Sequence, residues 1–184
     1  MLDHAPLLIA FGSNIDPLPN LWRGLLRLHE ELEVCAVSTV YRTAALPDPN
    51  AQGDEAPGAD FLNGAVRVTR HREPLALHTL LRSIEAELLR VRTPRRYAPR
   101  TLDLDIALMG EQVLHSDTLR VPDPDIPHRP FLAIPLAELA PQARHPLERC
   151  PLSHIAARFG PFPGGLTIDE PATRLLHTIV GHRP

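Results

Sequence analysis

Arg100-Thr101-Leu102-Asp103-Leu104-Asp105-Ile106 alternates apolar and polar residues with the period of two that a half-buried β-strand requires. Leu102, Leu104 and Ile106 are expected to face a core. Asp103 and Asp105 then stand together on the other face, their Cα atoms about 7 Å apart. Two carboxylates at that spacing repel each other unless a cation lies between them. Magnesium suits the pair, because it takes a few carboxylate oxygens and completes its octahedron with water and the phosphate oxygens of a bound nucleotide. Arg90, Arg92, Arg95, Arg96 and Arg100 come immediately before, and guanidinium forks match phosphate oxygens. Cations and anion-binding groups converging on one spot give the composition of a phosphoryl-transfer site. The plainer reading of the same residues is a solvated strand face beside a solubilising or RNA-binding basic stretch.

Outward from this strand the chain alternates helical and extended patterns. Upstream, Glu73-Pro74 opens a helix whose stripe is Leu77, Leu80, Leu81, Ile84 and Leu88 and which is expected to run to about Arg90, before Thr93-Pro94 breaks it. Phe61 to Val68 reads as a strand with Leu62, Val66 and Val68 on one face and Phe61 and Asn63 on the other. An outward Phe beside an Asn is either an aromatic covering a helix edge or a stacking surface with an amide for a flat, hydrogen-bonding ligand. Pro47 to Gly58 has the composition of a mobile loop. Val34 to Tyr41 reads as one strand. Asp16 or Asn20 is expected to cap a helix with the stripe Leu21, Trp22, Leu25, Leu28, Leu32, and Leu7 to Phe11 is a buried strand ending in Gly12-Ser13-Asn14. Downstream, Met109 to Leu114 looks like a hairpin return, Val121 to Pro130 is too proline-rich for regular structure, and Phe131 to Leu139 is a short apolar helix. The order strand, helix, strand, strand, helix, strand predicts an α+β fold: a ferredoxin-like αβ sandwich with a mainly antiparallel sheet and helices packed on it.

Composition narrows the chemistry. The 184 residues fit one domain, 1–184, and the net charge of −3 argues against a general nucleic-acid binder. All 19 basic residues are arginine. The absence of lysine excludes a Walker A loop, Schiff-base chemistry and the lysine-dependent kinase signatures, so phosphate handling must rest on Arg, backbone amides and metal. Cys35 and Cys150 have no CxxC partner, which predicts two reduced, buried thiols and no structural zinc. No stretch resembles a membrane span or a secretory leader, and the expectation is a cytoplasmic protein without a membrane partner.

Ala10-Phe11-Gly12-Ser13-Asn14, Val40-Tyr41-Arg42-Thr43, Phe61-Leu62-Asn63, Arg90-Val91-Arg92 followed by Pro99 to Asp105, and Arg129-Pro130-Phe131 with Pro135-Leu136 occur in this order. Over residues 6–141 the chain thereby resembles the 6-hydroxymethyl-7,8-dihydropterin pyrophosphokinases of folate biosynthesis. The resemblance implies an ATP-binding transferase that moves the β,γ-diphosphate of ATP to the pterin hydroxymethyl group and releases AMP. It implies two Mg²⁺ ions on Asp103 and Asp105, with Arg90 and Arg100 beside those carboxylates in catalysis. Arg92, Arg96, Arg100 and Arg129 would bind the nucleotide. Thr43, Leu46, Phe61, Asn63 and Phe131 would bind the pterin, Asn63 reading its edge and Phe131 stacking on its ring. Residues 47–60 and 91–99 resemble lids that exclude water on closure. ATP and hydroxymethyldihydropterin are the expected partners of a monomer, with no nucleic acid. The chain departs from the family pattern at Leu89, where Gly is usual, at Tyr97, where Trp is usual, and at Asp123, where a His contacts the nucleotide. Residues 142–184 form a C-terminal extension outside the resemblance. Two competing readings are a metal-dependent nucleotidyltransferase, which would release pyrophosphate instead of AMP, and a non-enzymatic ferredoxin-like RNA-binding module. Binding by the latter would fall steeply with salt and survive loss of Asp103 and Asp105.

Overall fold

A computed structural model describes residues 5–45, 58–91, 98–160 and 163–182. The strands are β1 (Leu7–Ser13), β2 (Val34–Val37), β3 (Tyr41–Thr43), β4 (Phe61–Val68), β5 (Asp103–Met109), β6 (Leu114–His115), β7 (Arg120–Val121) and β8 (Leu166–Ile168). The helices are α1 (Pro17–Leu32), α2 (Pro74–Glu87), α3 (Pro130–Leu139), α4 (Leu152–Ala157) and α5 (Glu170–His177), the last running into a 3₁₀ turn at Thr178–Gly181. The main sheet has the order β5-β1-β4-β3-β8, with β2 also pairing β4, and every pairing is antiparallel. This is the α+β sandwich that the element order predicts.

Each face of the sheet has its own core. On one face Leu7, Ile9, Phe11, Leu62, Val66, Leu104 and Ile106 meet α1 and α2 through Leu21, Leu25, Leu28, Leu32, Leu77, Leu81 and Ile84. The three- and four-residue spacing of those leucines supplies the helical stripes. Leu8, Ala10, Ala65, Ala107 and Leu108 face the other way and meet α3 and α4 through Ala133, Leu136, Leu152 and Ile155. A bulge in the β1/β5 pairing, between Leu8 and Ile9, turns Leu108 to the same face as Ala107. The second layer covers one half of that face. Gly12, Asn63, Asp103 and Asp105 occupy the other half, which is left as a cleft.

Several local expectations are corrected. Asp16 holds the N-cap position of α1 in the left-handed region, at φ 40°, without a side-chain cap bond, and Asn20 donates instead to the Ile15 carbonyl at 2.8 Å. Pro17 and Pro19 lack the N–H groups that a cap would satisfy. The single strand expected over 34–41 breaks into β2 and β3. Between them Ser38 N–H still donates to the Ala65 carbonyl, but the Ser38 hydroxyl accepts from Ala65 N–H, Glu138 accepts from Thr39 N–H and Thr173 Oγ1 accepts from Val40 N–H, so side chains take over much of the ladder. α2 ends at Glu87, short of Arg90. No hairpin returns along β5: Gly110, at φ 55°, turns the chain toward the Pro6 carbonyl, and Leu114 pairs with Val121 in a separate ribbon. Cys35 and Cys150 are unpaired as expected but half-buried instead of buried.

The C-terminal extension joins both the sheet and the core. β8 pairs with β3, setting Ile168 opposite Tyr41 and Leu166 opposite Thr43. Ala172, Leu176 and Ile179 are buried in the same core as α1 and α2. Arg42 binds Asp169, whose Oδ1 accepts from Ala172 N–H and caps α5. No described helix is long and apolar enough to cross a membrane.

Candidate active site

The cleft has a volume of about 380 Å³ and is built across three neighbouring strands. Gly12 of β1 lies between Asp103 of β5 and Asn63 of β4. A Cβ at position 12 would come within 2.9 Å of Asn63 Oδ1, so glycine gives the amide its place. Asn63 Nδ2 donates to Thr43 Oγ1 at 2.8 Å. Phe61, Phe131 and Ala44 line the same end. Four of the five residues expected at a pterin, Thr43, Phe61, Asn63 and Phe131, are thus brought together; Leu46 lies outside the described residues.

The Gly12-Ser13-Asn14 turn organises the carboxylate strand as well. Ser13 Oγ donates to the Thr101 carbonyl at 2.6 Å, Asn14 Oδ1 accepts from Arg100 N–H at 2.7 Å, and Asn14 N–H donates to the Arg100 carbonyl at 3.1 Å. Arg100 is clamped by its backbone, and its guanidinium reaches Asp103 Oδ2 while lying 5.5 Å from the centre of the Phe61 ring. Arg90 binds Asp103 Oδ1. Asp103 and Asp105 both face the cleft, as the alternation predicts. Arg129 lines it from the start of α3, whereas Arg92 and Arg96, like Tyr97, lie outside the described residues.

Electrostatics separates the two carboxylates. Enclosure alone would raise the pKa of Asp103, but the charges and hydrogen bonds of Arg90 and Arg100 outweigh it and hold the group below its ordinary range. Asp105 is pushed above that range, first by enclosure and then by the charge of Asp103, with Asp123 adding to the effect against Arg82. Asp123 does line the cleft, and its Oδ1 accepts from Asp125 N–H at 2.8 Å.

Among the residues that escaped the sequence reading of the site, Glu85, Arg82 and His78 form a chain of contacts along α2 to the carboxylates. Glu85 is buried, although it is an acid. Its Oε1 accepts from Arg82, from Arg90 and, at 2.9 Å, from Leu104 N–H on the outer edge of β5. Arg82 binds Asp105 Oδ1 at 2.8 Å and His78 Nε2 at 3.1 Å. The signal was present: Glu85 falls four residues after Leu81 and three before Leu88, inside the apolar stripe of α2. An acid there has to be paired.

Asp103 and Asp105, each bound by arginine, are hard oxygen ligands that could hold a cation together with water and substrate oxygens. Among the described residues no group of three His, Cys, Asp or Glu forms an all-protein cage.

An antiparallel αβ sandwich with paired carboxylates, convergent guanidinium groups and an aromatic-amide end defines a class of phosphoryl-transfer proteins. Residues 8–141 match the model of the 7,8-dihydro-6-hydroxymethylpterin-pyrophosphokinase (HPPK) family, and the chain belongs to that family. It is 37% identical over 158 residues to a 2-amino-4-hydroxy-6-hydroxymethyldihydropteridine pyrophosphokinase of Pseudomonas aeruginosa, covering 80% of this chain and 93% of that one. Identity to the Bacillus subtilis protein of the same name is 39% over 137 residues, covering 73% of this chain and 77% of the relative. The wild-type Plasmodium falciparum HPPK-DHPS crystal structure with SDX-DHP superposes with a TM-score of 0.60 at 12% identity, and so shares the fold. That match covers 84% of this chain and 44% of the larger one. The chain is accordingly an enzyme, a pyrophosphokinase of folate synthesis.

Proposed function

We propose that the cleft transfers the β,γ-diphosphate of ATP to the hydroxymethyl group of 6-hydroxymethyl-7,8-dihydropterin, releasing AMP, with Asp103 and Asp105 as the magnesium carboxylates. The observation that carries this reading is the position of those carboxylates. On one side stand Asn63, Thr43, Phe61 and Phe131; on the other stand Ile106 of edge strand β5 and, from outside the main sheet, His78, Thr118 and Leu119. A flat, hydrogen-bonding ring fits the first end and a nucleoside the second, so the phosphates cross the carboxylates between them.

Asp103 and Asp105 would hold the magnesium, which would supply charge neutralisation for the transferred phosphates. The chain's own groups do the rest. Arg100 and Arg90, already fixed at Asp103, present donors to charge that grows on the transferred group, and fixed donors need no reorganisation at the moment of reaction. Asn63, locked by Thr43 and Gly12, orients the pterin edge. Phe61 and Phe131 provide apolar faces that exclude water from the hydroxymethyl carbon. The working unit is the whole chain, extension included, because α5 helps build the core on which α1 and α2 rest.

The test is to incubate the protein with Mg-ATP and hydroxymethyldihydropterin and identify the first products. AMP with pterin diphosphate is expected; pyrophosphate would point to nucleotidyl transfer and overturn the reading. Asp105→Asn should abolish turnover without lowering the melting temperature, since Leu104 and Ile106 keep their core contacts. Undiminished turnover in that variant would remove the metal assignment.

A further inference from the structure

Arg82 has no part in the scheme above, yet its guanidinium is tethered on several sides. Nε donates to His78 Nε2 at 3.1 Å, Nη1 to Glu85 Oε1 and, at 3.5 Å, to the Leu104 carbonyl, and Nη2 to Asp105 Oδ1 at 2.8 Å. His78 and Glu85 lie one helical turn before and after it on α2, which is the spacing at which helix side chains meet. Held by both, Arg82 reaches past the sheet edge to the second carboxylate of the cleft. Only 26% of its side chain is exposed, too little for an arginine that merely solubilises a helix.

The charge balance gives this contact a consequence. Arg90 and Arg100 bind Asp103, Arg82 binds Asp105, and Glu85 joins Arg82 to Arg90. Within this network three guanidinium groups face three carboxyl groups. A divalent cation approaching Asp105 alone meets a guanidinium already on the oxygen it needs, with Asp123 the further carboxylate that faces Asp105 in the cleft. A cation arriving with a polyphosphate brings anions toward which the Nη2 donor can turn.

We propose that Arg82 is a positioning residue for Asp105 that couples cation binding to nucleotide: it keeps the carboxylate pair from loading a divalent cation by itself and yields Asp105 when phosphate oxygens offer the guanidinium another partner. This rests on the reading of Asp103 and Asp105 as the magnesium carboxylates. Its consequence is that removing the positive charge tightens cation binding to the nucleotide-free protein. A unit charge acts on a divalent ion several ångströms away strongly enough, at an effective dielectric near 20, to change affinity by about tenfold or more after screening.

The experiment titrates Mn²⁺ into wild type, Arg82→Gln, Arg82→Met, Arg82→Lys and Asp105→Asn, reading free Mn²⁺ by its paramagnetic resonance signal with and without a non-hydrolysable ATP analogue. Without nucleotide, both neutral variants should bind Mn²⁺ about tenfold more tightly than wild type. Arg82→Lys, which keeps the charge, should stay near wild type. With the analogue present the advantage should shrink or reverse, because the phosphates have lost a donor. A purely structural Arg82 would shift the melting temperature and leave these affinities unchanged. Asp105-dependent Mn²⁺ binding that is equal in wild type and in either folded neutral variant overturns this inference and leaves the magnesium reading standing. Mn²⁺ binding that ignores Asp105 in every protein, with and without the analogue, overturns both.

Discussion

At the scale of single residues the site separates groups of the same kind by their surroundings. Asp103 is held below its ordinary pKa range between Arg90 and Arg100, while Asp105, beside the charge of Asp103, is pushed above it. Arg100 is the residue on which three constraints meet: the backbone clamp from Asn14, the ion pair with Asp103 and the Phe61 ring. A donor so fixed contributes most where charge develops, in the transition state. Arg100→Ala is therefore expected to lower kcat by about two to three orders of magnitude, the scale for losing one preorganised donor, with a small change in KM for either substrate. Steady-state kinetics on the purified variant checks this. An effect confined to KM would assign Arg100 to ground-state binding.

At the scale of elements, the end of α2 explains how Arg90 comes to face the carboxylates. Leu89 N–H donates to the Ala86 carbonyl and Arg90 N–H to the Glu85 carbonyl, at 3.0 and 3.1 Å, the paired bonds of a Schellman helix end. The motif places Leu89 in the left-handed region, at φ 60°. A Cβ is penalised there, and a glycine would carry no such penalty. Leu89 is 80% exposed, so its side chain returns little burial for the strain. Leu89→Gly should relieve the strain, lose part of the gain to the greater freedom of the unfolded chain, and stabilise the protein by roughly 0.5–1 kcal/mol. Urea unfolding of the two proteins measures it, and a destabilised variant would show that the exposed leucine packs against something in solution.

At the scale of the whole molecule, the C-terminal segment is part of the framework behind the cleft. β8 lies along β3, the strand that carries Thr43, and α5 sends Leu176 into the core shared by α1 and α2. Leu176 is fully buried. Leu176→Ala should cost about 2–5 kcal/mol, the range for emptying a leucine site in a packed core. Chemical denaturation gives the value. A cost below about 1 kcal/mol, typical of a surface site, would mean that the extension docks loosely.

The sequence by itself determined which residues share a face. A period of two put Asp103 and Asp105 opposite Leu104 and Ile106 and set Phe61 and Asn63 apart from Leu62 and Val66, and helical spacing marked the stripes of α1 and α2. Those patterns are local, because burial on one side of a strand or helix repeats with its own geometry. The order of elements then limited the sheet to an antiparallel sandwich. Tertiary structure alone decided who meets whom. Arg82 and Asp105 are 23 residues apart, Glu85 and Leu104 are 19 apart, and Arg42 and Asp169 are 127 apart. Periodicity names a face but not the partner that covers it. It marked Glu85 only as an acid in an apolar stripe, and it could not indicate that the open edge of β5 supplies the N–H that Glu85 accepts from. For the same reason residues 166–179, with proline and glycine around them and few residues per element, showed no assignable role until β3 offered them an edge and the main core a place to bury Leu176.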